Sequence, residues 1–193
     1  MIRNHFLTSD GLFLDNLGNI EENKANEQFF YDKKTLKILA DIAEKFEYTC
    51  LLCAPTLGDE LIRRGRKVRI LDIDMRFAPL RGFRYFDIKK PLSFGEKYDL
   101  IVCDPPFTGV RIKQLFNAIT KLSCNNPSQN ILISWERQYL KKKFMKIFSY
   151  FNLRLTGFCL TYRQGFIPFP DELMKKYGEE VIVELYSNFP ALN

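Results

Sequence analysis

The sequence predicts a doubly wound α/β fold built on a mainly parallel sheet of seven strands. Short, continuously apolar segments alternate with segments whose apolar residues recur at helical spacing, and several strand segments are apolar enough to be buried on both faces. The last two strand segments follow each other without a clear helix between them. That order predicts an antiparallel hairpin partner at the edge of the sheet.

Composition limits the class of protein. Of the 193 residues, 46% are hydrophobic and 15% aromatic, which is too many for a disordered chain. The length fits one domain, which we place at residues 26–193, after an irregular N-terminal arm over residues 1–25. No run approaches the roughly 20 apolar residues that a membrane span needs, and the N-terminus lacks the apolar core of a signal peptide. We therefore expect a cytoplasmic protein.

The first half of the chain predicts two helices and two strands. Apolar residues recur near a 3.6-residue period between residues 36 and 46, and Asp32 stands where an N-cap would begin that helix. Residues 49–54 and 68–73 are continuous apolar runs of strand length. Between them, residues 57–64 predict a short helix that Gly65 ends.

The second half continues this alternation. Residues 83–88 alternate aromatic and polar side chains, which predicts a third strand, and residues 98–103 predict a fourth that is buried on both faces. The remaining predicted elements are a helix over residues 111–122, a strand over 130–135, a basic amphipathic helix over 136–150, and late strands over 153–162 and 180–186. These segments complete the count of seven strands.

Carboxylates follow three consecutive strands. Asp72 and Asp74 come at the end of the second strand, Asp87 at the end of the third and Asp104 at the end of the fourth. Ligands of doubly wound sheets bind in the crevice outside the carboxyl ends of the strands. The sequence therefore predicts a binding site at this edge.

The tetrapeptide from Asp104 to Phe107, DPPF, is the most informative motif. Pro105 and Pro106 fix the backbone and withhold two N–H donors, so the turn is stiff and its carbonyls project outward. The Asp104 carboxylate and the Pro105 carbonyl are then two fixed acceptors for an amine, and Phe107 offers a face on which a base can stack. The alternative is a plain strand-to-helix turn in which Asp caps and Pro starts the helix.

Cysteine usage indicates a reducing compartment. The count of five is odd, and three of the five lie in apolar runs. Cys50 and Cys53 form one C-x-x-C, which suits a redox pair, half a zinc site or two core positions of a strand. Because there is no second C-x-x-C and His5 is the only histidine, we expect no metal site.

At the DPPF motif the chain resembles the amino-methyltransferases, whose motif is (D/N)-P-P-(F/Y/W). More narrowly, it is similar to the catalytic domain of eukaryotic ribosomal RNA adenine-N6 methyltransferases of the CCHC zinc-knuckle type, and to related elongation-factor lysine methyltransferases. The resemblance covers roughly residues 26–140. The matching stretches, in family order, are residues 28–32, 53–62, 71–77, 83–92 and 104–107.

The resemblance implies a class I, Rossmann-like fold with S-adenosylmethionine as methyl donor. Asp72 and Asp74 would sit where the acid of the second strand binds the ribose hydroxyls or shapes the cofactor pocket, and Asp87 would meet the adenine amine of the cofactor. The aromatic cluster 29–31 would close over the cofactor or the target. That cluster could equally be ordinary core. The implied catalytic residues are Asp104, Pro105, Pro106 and Phe107. The implied cofactor-binding residues are Phe30, Ala54, Pro55, Thr56, Asp72, Asp74, Asp87 and Asp104.

Two departures from the family pattern stand out. The glycine-rich loop after the first strand is missing, and the sequence there reads Ala54-Pro55-Thr56-Leu57-Gly58. Five cysteines and one histidine cannot build the zinc modules of the ribosomal enzymes. Substrate docking therefore differs here or comes from a protein partner.

Charge suggests the substrate class. Lys plus Arg number 29 and Asp plus Glu 23, a net charge of +6, which favours a polyanionic substrate. Basic residues cluster at 63–69, 137–146, 154–163 and 175–176, and aromatic residues lie between some of them. This pattern indicates a surface that binds phosphates along a nucleic acid. For residues 141–146 the alternative is a solvent-exposed helix face. The predicted substrate-binding residues are Phe29, Tyr31, Trp135, Tyr162 and Arg163.

We expect an adenine-N6 methyltransferase acting on nucleic acid, with RNA favoured over DNA. The alternative is a protein lysine methyltransferase on the same fold, in which the same Asp would orient the amine and an aromatic would pack the lysine stem. A catalytically silent binding subunit is a third reading, which the intact DPPF motif disfavours.

Overall fold

A computed structural model describes residues 20–137, 140–163 and 181–192. Seven strands form one sheet in the order β3-β2-β1-β4-β5-β7-β6. The strands are β1 (Tyr48–Leu52), β2 (Lys67–Asp72), β3 (Phe83–Tyr85), β4 (Leu100–Cys103), β5 (Ile131–Glu136), β6 (Arg154–Leu160) and β7 (Val183–Ser187). The helices are α1 (Lys33–Ala43), α2 (Pro55–Arg63), α3 (Ile112–Leu122) and α4 (Lys141–Phe148).

The topology confirms the predicted doubly wound sheet. The pairs of β1 with β2 and β4, of β2 with β3, and of β4 with β5 are all parallel. Strand β7 runs antiparallel to both β5 and β6, between which it is inserted, so the predicted antiparallel partner is present and β6 forms the edge. The strand order reverses between β1 and β4, and a doubly wound sheet opens its ligand crevice at such a point.

Local sequence signals set most element ends. The Asp32 carboxylate accepts a hydrogen bond from the backbone N–H of Thr35 at 2.7 Å and caps α1 as predicted. Gly65 ends α2 with φ +74°, a conformation that glycine adopts without strain. Strand β3 is shorter than predicted, because its partner β2 ends at Asp72.

The start of α4 differs most from its prediction. We expected a helix from residue 136, but β5 continues to Glu136, which pairs with Val183 of β7, and α4 begins at Lys141. The ladder with β7 is a long-range contact that the local pattern does not contain.

Some predictions lie outside the described residues. They concern most of the arm over residues 1–25, with His5, and the basic cluster at residues 175–176. The boundary between arm and domain at residue 25 stays a prediction.

Candidate active site

A cleft opens at the carboxyl ends of the central strands. It consists of two adjoining pockets with empty volumes of about 520 and 870 Å³, both open to solvent. Both pockets are lined by Asn26, Glu27, Cys53, Ile73 and Pro106. The cleft therefore lies at the sheet edge where the sequence predicted a binding site.

The end of β1 shapes the floor of the smaller pocket. Cys53 has φ +57°, an unusual conformation for a residue with a side chain. It stands where the family pattern has its glycine-rich loop. Pro55 is the first residue of α2, and the preceding Ala54 makes no side-chain cap hydrogen bond. Ala54, Pro55 and Thr56 all line the pocket, so the N-terminus of α2 faces it. A helix N-terminus favours an anionic group.

The two acids after β2 have different surroundings. Asp72 is 5% exposed, lines the smaller pocket and accepts a hydrogen bond from the backbone N–H of Asp74 at 2.8 Å. Burial raises the pKa of the Asp72 carboxyl to about 6. Burial also opposes ionisation of Asp74, but hydrogen bonds from Arg76 at 2.6–3.0 Å and from Gln28 at 3.2 Å lower its pKa. The Asp74 oxygens are thus engaged within the protein.

Asp87 lies in the larger pocket, between the buried Phe86 and Ile88. One of its carboxylate oxygens accepts the backbone N–H of Lys89 at 2.8 Å. Asp87 therefore offers an acceptor beside apolar walls, an environment that suits a heteroaromatic ring with an exocyclic amine.

Three hydroxyl groups converge on Asp104 at the tip of β4. Tyr162 donates to Oδ1 at 3.0 Å and approaches Oδ2 at 3.3 Å, Ser134 of β5 donates to Oδ1, and the Tyr31 hydroxyl lies close enough to the carboxyl to lower its pKa. Burial raises the pKa of Asp104 to about 6, and the three hydroxyl bonds limit that rise. Asp104 also lines the smaller pocket, so this acceptor cluster opens to the cleft.

The other residues of the DPPF motif divide between cleft and core. Pro106 lines both pockets, whereas Pro105 is buried. Phe107 is 5% exposed and packs edge-on against Trp135, with ring centroids 5.9 Å apart. Its face is therefore covered, and stacking on a base would require the ring to leave this packing.

Trp135, which was predicted to contact the substrate, lies in the core of this structure, and its substrate contact stays a prediction. The ring is 1% exposed and stacks on Phe144 of α4 at 4.8 Å with an interplanar angle of 3°. Side chains alternate between the faces of a strand, so Trp135 points away from its neighbour Ser134, which reaches Asp104.

The segment before α1 crosses the cleft. Phe29, Phe30 and Tyr31 line the smaller pocket, and Phe29 contacts Tyr162 edge-on at 6.4 Å. Earlier in the same segment, the Glu27 carboxylate accepts hydrogen bonds from the hydroxyl of Thr108 and, at 2.9 Å, from the backbone N–H of Thr108. These contacts fix the segment to the loop that follows the DPPF motif.

Arg163 lies behind this segment. Its guanidinium sits over the Phe30 ring at 5.2 Å, and its backbone N–H donates to the Phe30 carbonyl at 2.9 Å. In this structure Arg163 therefore supports Phe30, and its predicted substrate contact stays a prediction.

Sequence reasoning missed several residues of the site. Cys53 was considered only as a metal, redox or core residue, and Ser134, Glu27 and Gln28 were given no role. The available signal was their position, since Cys53 and Ser134 stand at or near the carboxyl ends of β1 and β5. The contacts of Glu27 and Gln28 join distant parts of the chain and have no local signature.

Ion pairs engage part of the predicted basic surface. Arg64 pairs with Asp41, Glu44 and Glu60, and Arg69 pairs with Glu96. Other basic residues remain exposed; on α4 they are Lys142, Lys143 and Lys146. The predicted phosphate-binding surface is thus reduced at residues 63–69.

The described ranges contain neither a candidate metal site nor a candidate membrane span. They contain no group of three or more His, Cys, Asp or Glu side chains arranged to hold a metal ion. No helix within them is both long and apolar enough to span a membrane.

A family model described as "Probable N6-adenine methyltransferase" matches residues 22–189. The chain belongs to this family. The predicted methyltransferase class is therefore confirmed, and the cleft with its DPPF motif is the candidate active site of a methyltransferase.

Curated relatives of this methyltransferase act on protein according to their names. The chain is similar to EEF1A lysine methyltransferase 1 from Bos taurus, with 35% identity over 105 residues, and to the protein of that name from Homo sapiens, with 30% identity over 106 residues. The matches cover 48% of the chain in both cases, and 46% and 49% of the relatives. The chain thus spans about half the length of the curated relatives it matches.

Solved structures confirm the class I methyltransferase fold. The magnesium protoporphyrin IX methyltransferase from Synechocystis, solved with bound S-adenosylmethionine, has a TM-score of 0.51 and 12% identity, over 81% of this chain and 79% of the other. The branched-chain polyamine synthase from Thermus thermophilus has a TM-score of 0.60 and 12% identity, over 87% of this chain and 58% of the other. At 12% sequence identity, these similarities show a shared fold and nothing more.

Proposed function

We propose that this protein transfers the methyl group of S-adenosylmethionine to the ε-amine of a lysine on a protein. The choice of lysine rests on the similarity to the EEF1A lysine methyltransferases. The covered face of Phe107 supports it, since an adenine acceptor would need a stacking surface.

The cleft offers groups that suit each part of the methyl donor. The uncapped N-terminus of α2 suits a carboxylate, the buried Asp72 suits hydroxyl donors, and Asp87 suits an exocyclic amine beside apolar walls. When bound, the donor supplies an electrophilic methyl group. Asp74 has a different role in this proposal: its bonds to Arg76 and Gln28 shape the loop after β2.

The residues around Asp104 would prepare the acceptor amine. Asp104 accepts an N–H of the amine and orients its lone pair, and the Pro105–Pro106 turn fixes that acceptor in place. The lysine must lose its ammonium proton before the neutral amine can attack. Positioning and removal of water are then the main contributions of the protein.

Adenine N6 is the second candidate acceptor, and the family description favours it. In that case the same Asp104 acceptor would hold the exocyclic amine, and Phe107 would have to turn out from Trp135 to stack on the base. The ion pairs of Arg64 and Arg69 reduce the surface available for phosphates.

A labelling experiment separates the two acceptors. Purified protein is incubated with methyl-labelled S-adenosylmethionine and, in parallel, with EEF1A protein, total RNA, genomic DNA and whole-cell protein. We expect label on lysine of a protein, identified by mass spectrometry. Label confined to adenine of RNA or DNA would overturn the lysine proposal and establish the second candidate.

The same assay tests Asp104. We predict that Asp104→Ala lowers turnover at least 100-fold while donor affinity, measured by calorimetry, changes less than about threefold, because alanine removes the acceptor of the amine N–H. Asp99→Ala is the matched control, since Asp99 precedes β4 and accepts the backbone N–H of Tyr48 at 2.9 Å. Near-normal turnover of Asp104→Ala would exclude Asp104 as the amine acceptor.

A further inference from the structure

Tyr31 and Tyr162 form a buried pair beside Asp104 that neither the DPPF motif nor the family description assigns a role. Their rings are 3% and 5% exposed and stack with centroids 5.5 Å apart at 30°. The Tyr162 hydroxyl donates to the Asp104 carboxylate, and the Tyr31 hydroxyl lies beside it. One ring precedes α1 and the other follows β6, so elements from distant parts of the chain meet on one acceptor.

The backbone around the pair is fixed on both sides. Tyr31 and Tyr162 form an antiparallel bridge, the Asp32 N–H donates to the Thr161 carbonyl at 3.1 Å, and the Arg163 N–H donates to the Phe30 carbonyl at 2.9 Å. A hydroxyl on a rigid ring, held by a paired backbone, has little freedom to leave its acceptor. The two tyrosines are therefore built to hold the carboxylate in one orientation.

A carboxylate has about four acceptor positions. Ser134 and Tyr162 both donate to Oδ1. Among the hydrogen bonds of the described residues, Oδ2 has only a longer contact with Tyr162, at 3.3 Å, so a donor that enters from the cleft, which Asp104 lines, can bind at Oδ2. An amine N–H that binds there meets a carboxylate whose direction is already set.

We infer that Tyr31 and Tyr162 are positioning residues, which hold the Asp104 carboxylate in one orientation and leave Oδ2 accessible to the substrate amine. The inference rests on the proposed function, in which Asp104 receives that amine. The hydroxyl donors favour the ionised carboxylate, while burial favours the neutral acid.

Several titratable groups lie near Asp104 in the part of the chain that the structure describes. The thiols of Cys53, after β1, and Cys103, on β4, are its neighbours, and the carboxyl groups of Asp72 and Glu27 line the same pocket. Burial raises the pKa of both thiols well above the usual range. Burial and the adjacent Asp104 also raise the pKa of both tyrosines, which therefore stay protonated donors.

Tyr162→Phe and Tyr31→Phe test the inference, because each removes one hydroxyl and keeps the ring. Tyr98→Phe is the matched control: Tyr98 is also buried and donates to a carboxylate, that of Glu96 at 3.2 Å, but it lies before β4 at the far end of the sheet. Thermal unfolding of each variant verifies that it is folded.

The first measurement needs no methyl acceptor. Carbon-13 labelling of aspartate carboxyls follows the titration of Asp104, whose signal is assigned by its loss in Asp104→Asn. We expect the midpoint to rise by about one pH unit in Tyr162→Phe, since a donor to the ionised form is lost, and to stay unchanged in Tyr98→Phe. An unchanged midpoint in both Tyr162→Phe and Tyr31→Phe would overturn the inference.

The second measurement is turnover against pH with the acceptor that the labelling experiment identifies. We expect kcat to fall about tenfold or more in Tyr162→Phe, with KM changed less than threefold and the acidic limb of the profile moved to higher pH. If Tyr162→Phe and Tyr98→Phe have the same kcat and the same acidic limb in the profile of turnover against pH, a positioning role is contradicted. If lysine proves not to be the acceptor, the carboxyl titration still decides this inference independently.

Discussion

At the scale of single residues, the acids Asp72 and Asp104 at the strand tips share one property. Burial raises the pKa of both Asp72 and Asp104 to about 6. An ionised carboxylate in such a place lowers the stability of the fold at neutral pH, since the same group is better solvated in the unfolded chain. Both side chains line the cleft, which indicates that they serve binding and not stability.

Asp72→Asn is predicted to stabilise the protein at pH 7.5. The folded pKa of about 6 lies above the usual value of 3.8, so the penalty is fully present above pH 6 and disappears as the pH falls toward 4. Removing the charge should gain on the order of 2 kcal/mol, or roughly 5 °C in Tm, and weaken donor binding. Thermal unfolding at pH 7.5 and pH 4.5 measures the effect.

Asp74→Asn gives the matched contrast two residues away. Its carboxylate is bound by Arg76 and Gln28, which lower its pKa, so its ionised form stabilises the fold and the variant should lose stability at pH 7.5. A loss of stability in both variants at pH 7.5 would refute the difference that we assign to these acids.

At the scale of elements, α2 brings its N-terminus to the cleft because it packs unusually close to β2. A Cβ built at Gly58 would lie 2.4 Å from Cδ1 of Ile70 and 3.2 Å from Cδ1 of Leu51. Both neighbours are fully buried, so neither has room to move away. Gly58 thus sets the distance between helix and sheet.

Gly58→Ala is predicted to destabilise the protein by about 1–3 kcal/mol. In an ordinary helix the same change stabilises by up to about 1 kcal/mol, so the sign of the effect is diagnostic. Chemical denaturation measures it. In a background of Ile70→Ala, which removes both atoms of Ile70 nearest to the added Cβ, Cδ1 at 2.4 Å and Cγ1 at 2.6 Å, the cost should shrink. The same cost in both backgrounds would show that contact with Ile70 is not its cause.

At the scale of the whole molecule, acids with opposite pKa shifts determine how stability depends on pH. Burial opposes ionisation of Glu96, but hydrogen bonds from Arg69 and Tyr48 lower its pKa to about 2, and the pKa values of Asp32 and Glu184 are also lowered. Their contribution is lost as the pH falls below about 4.5. The loss of folding stability caused by ionisation of Asp72 and Asp104 grows as the pH rises from 4 to 6.

The predicted outcome is a maximum of Tm near pH 5, on the acidic side of neutrality. Calorimetry between pH 3 and pH 8 in one buffer system at constant ionic strength measures it. In the double variant Asp72→Asn, Asp104→Asn, the decline between pH 5 and pH 8 should flatten. A wild-type maximum at or above pH 7.5 would contradict the raised pKa values.

The sequence by itself determined the class of fold and the place of the site. Apolar strand segments, the Asp32 cap and the DPPF motif are local patterns, and local patterns specify which segments are strands and helices and what stands at their ends. The positions of Asp72, Asp87 and Asp104 at one edge followed from these patterns, because parallel strands bring their carboxyl ends together.

Only the tertiary structure decided what those residues contact. Trp135 lies in the core because α4 covers its face of β5, and Tyr31 reaches Asp104 because the chain pairs with Tyr162 after β6. The side chain of a strand residue can be placed on one of two faces from sequence, but which face is the core depends on elements far along the chain. For the same physical reason, the hydroxyls that hold Asp104 have no signature in the sequence around it.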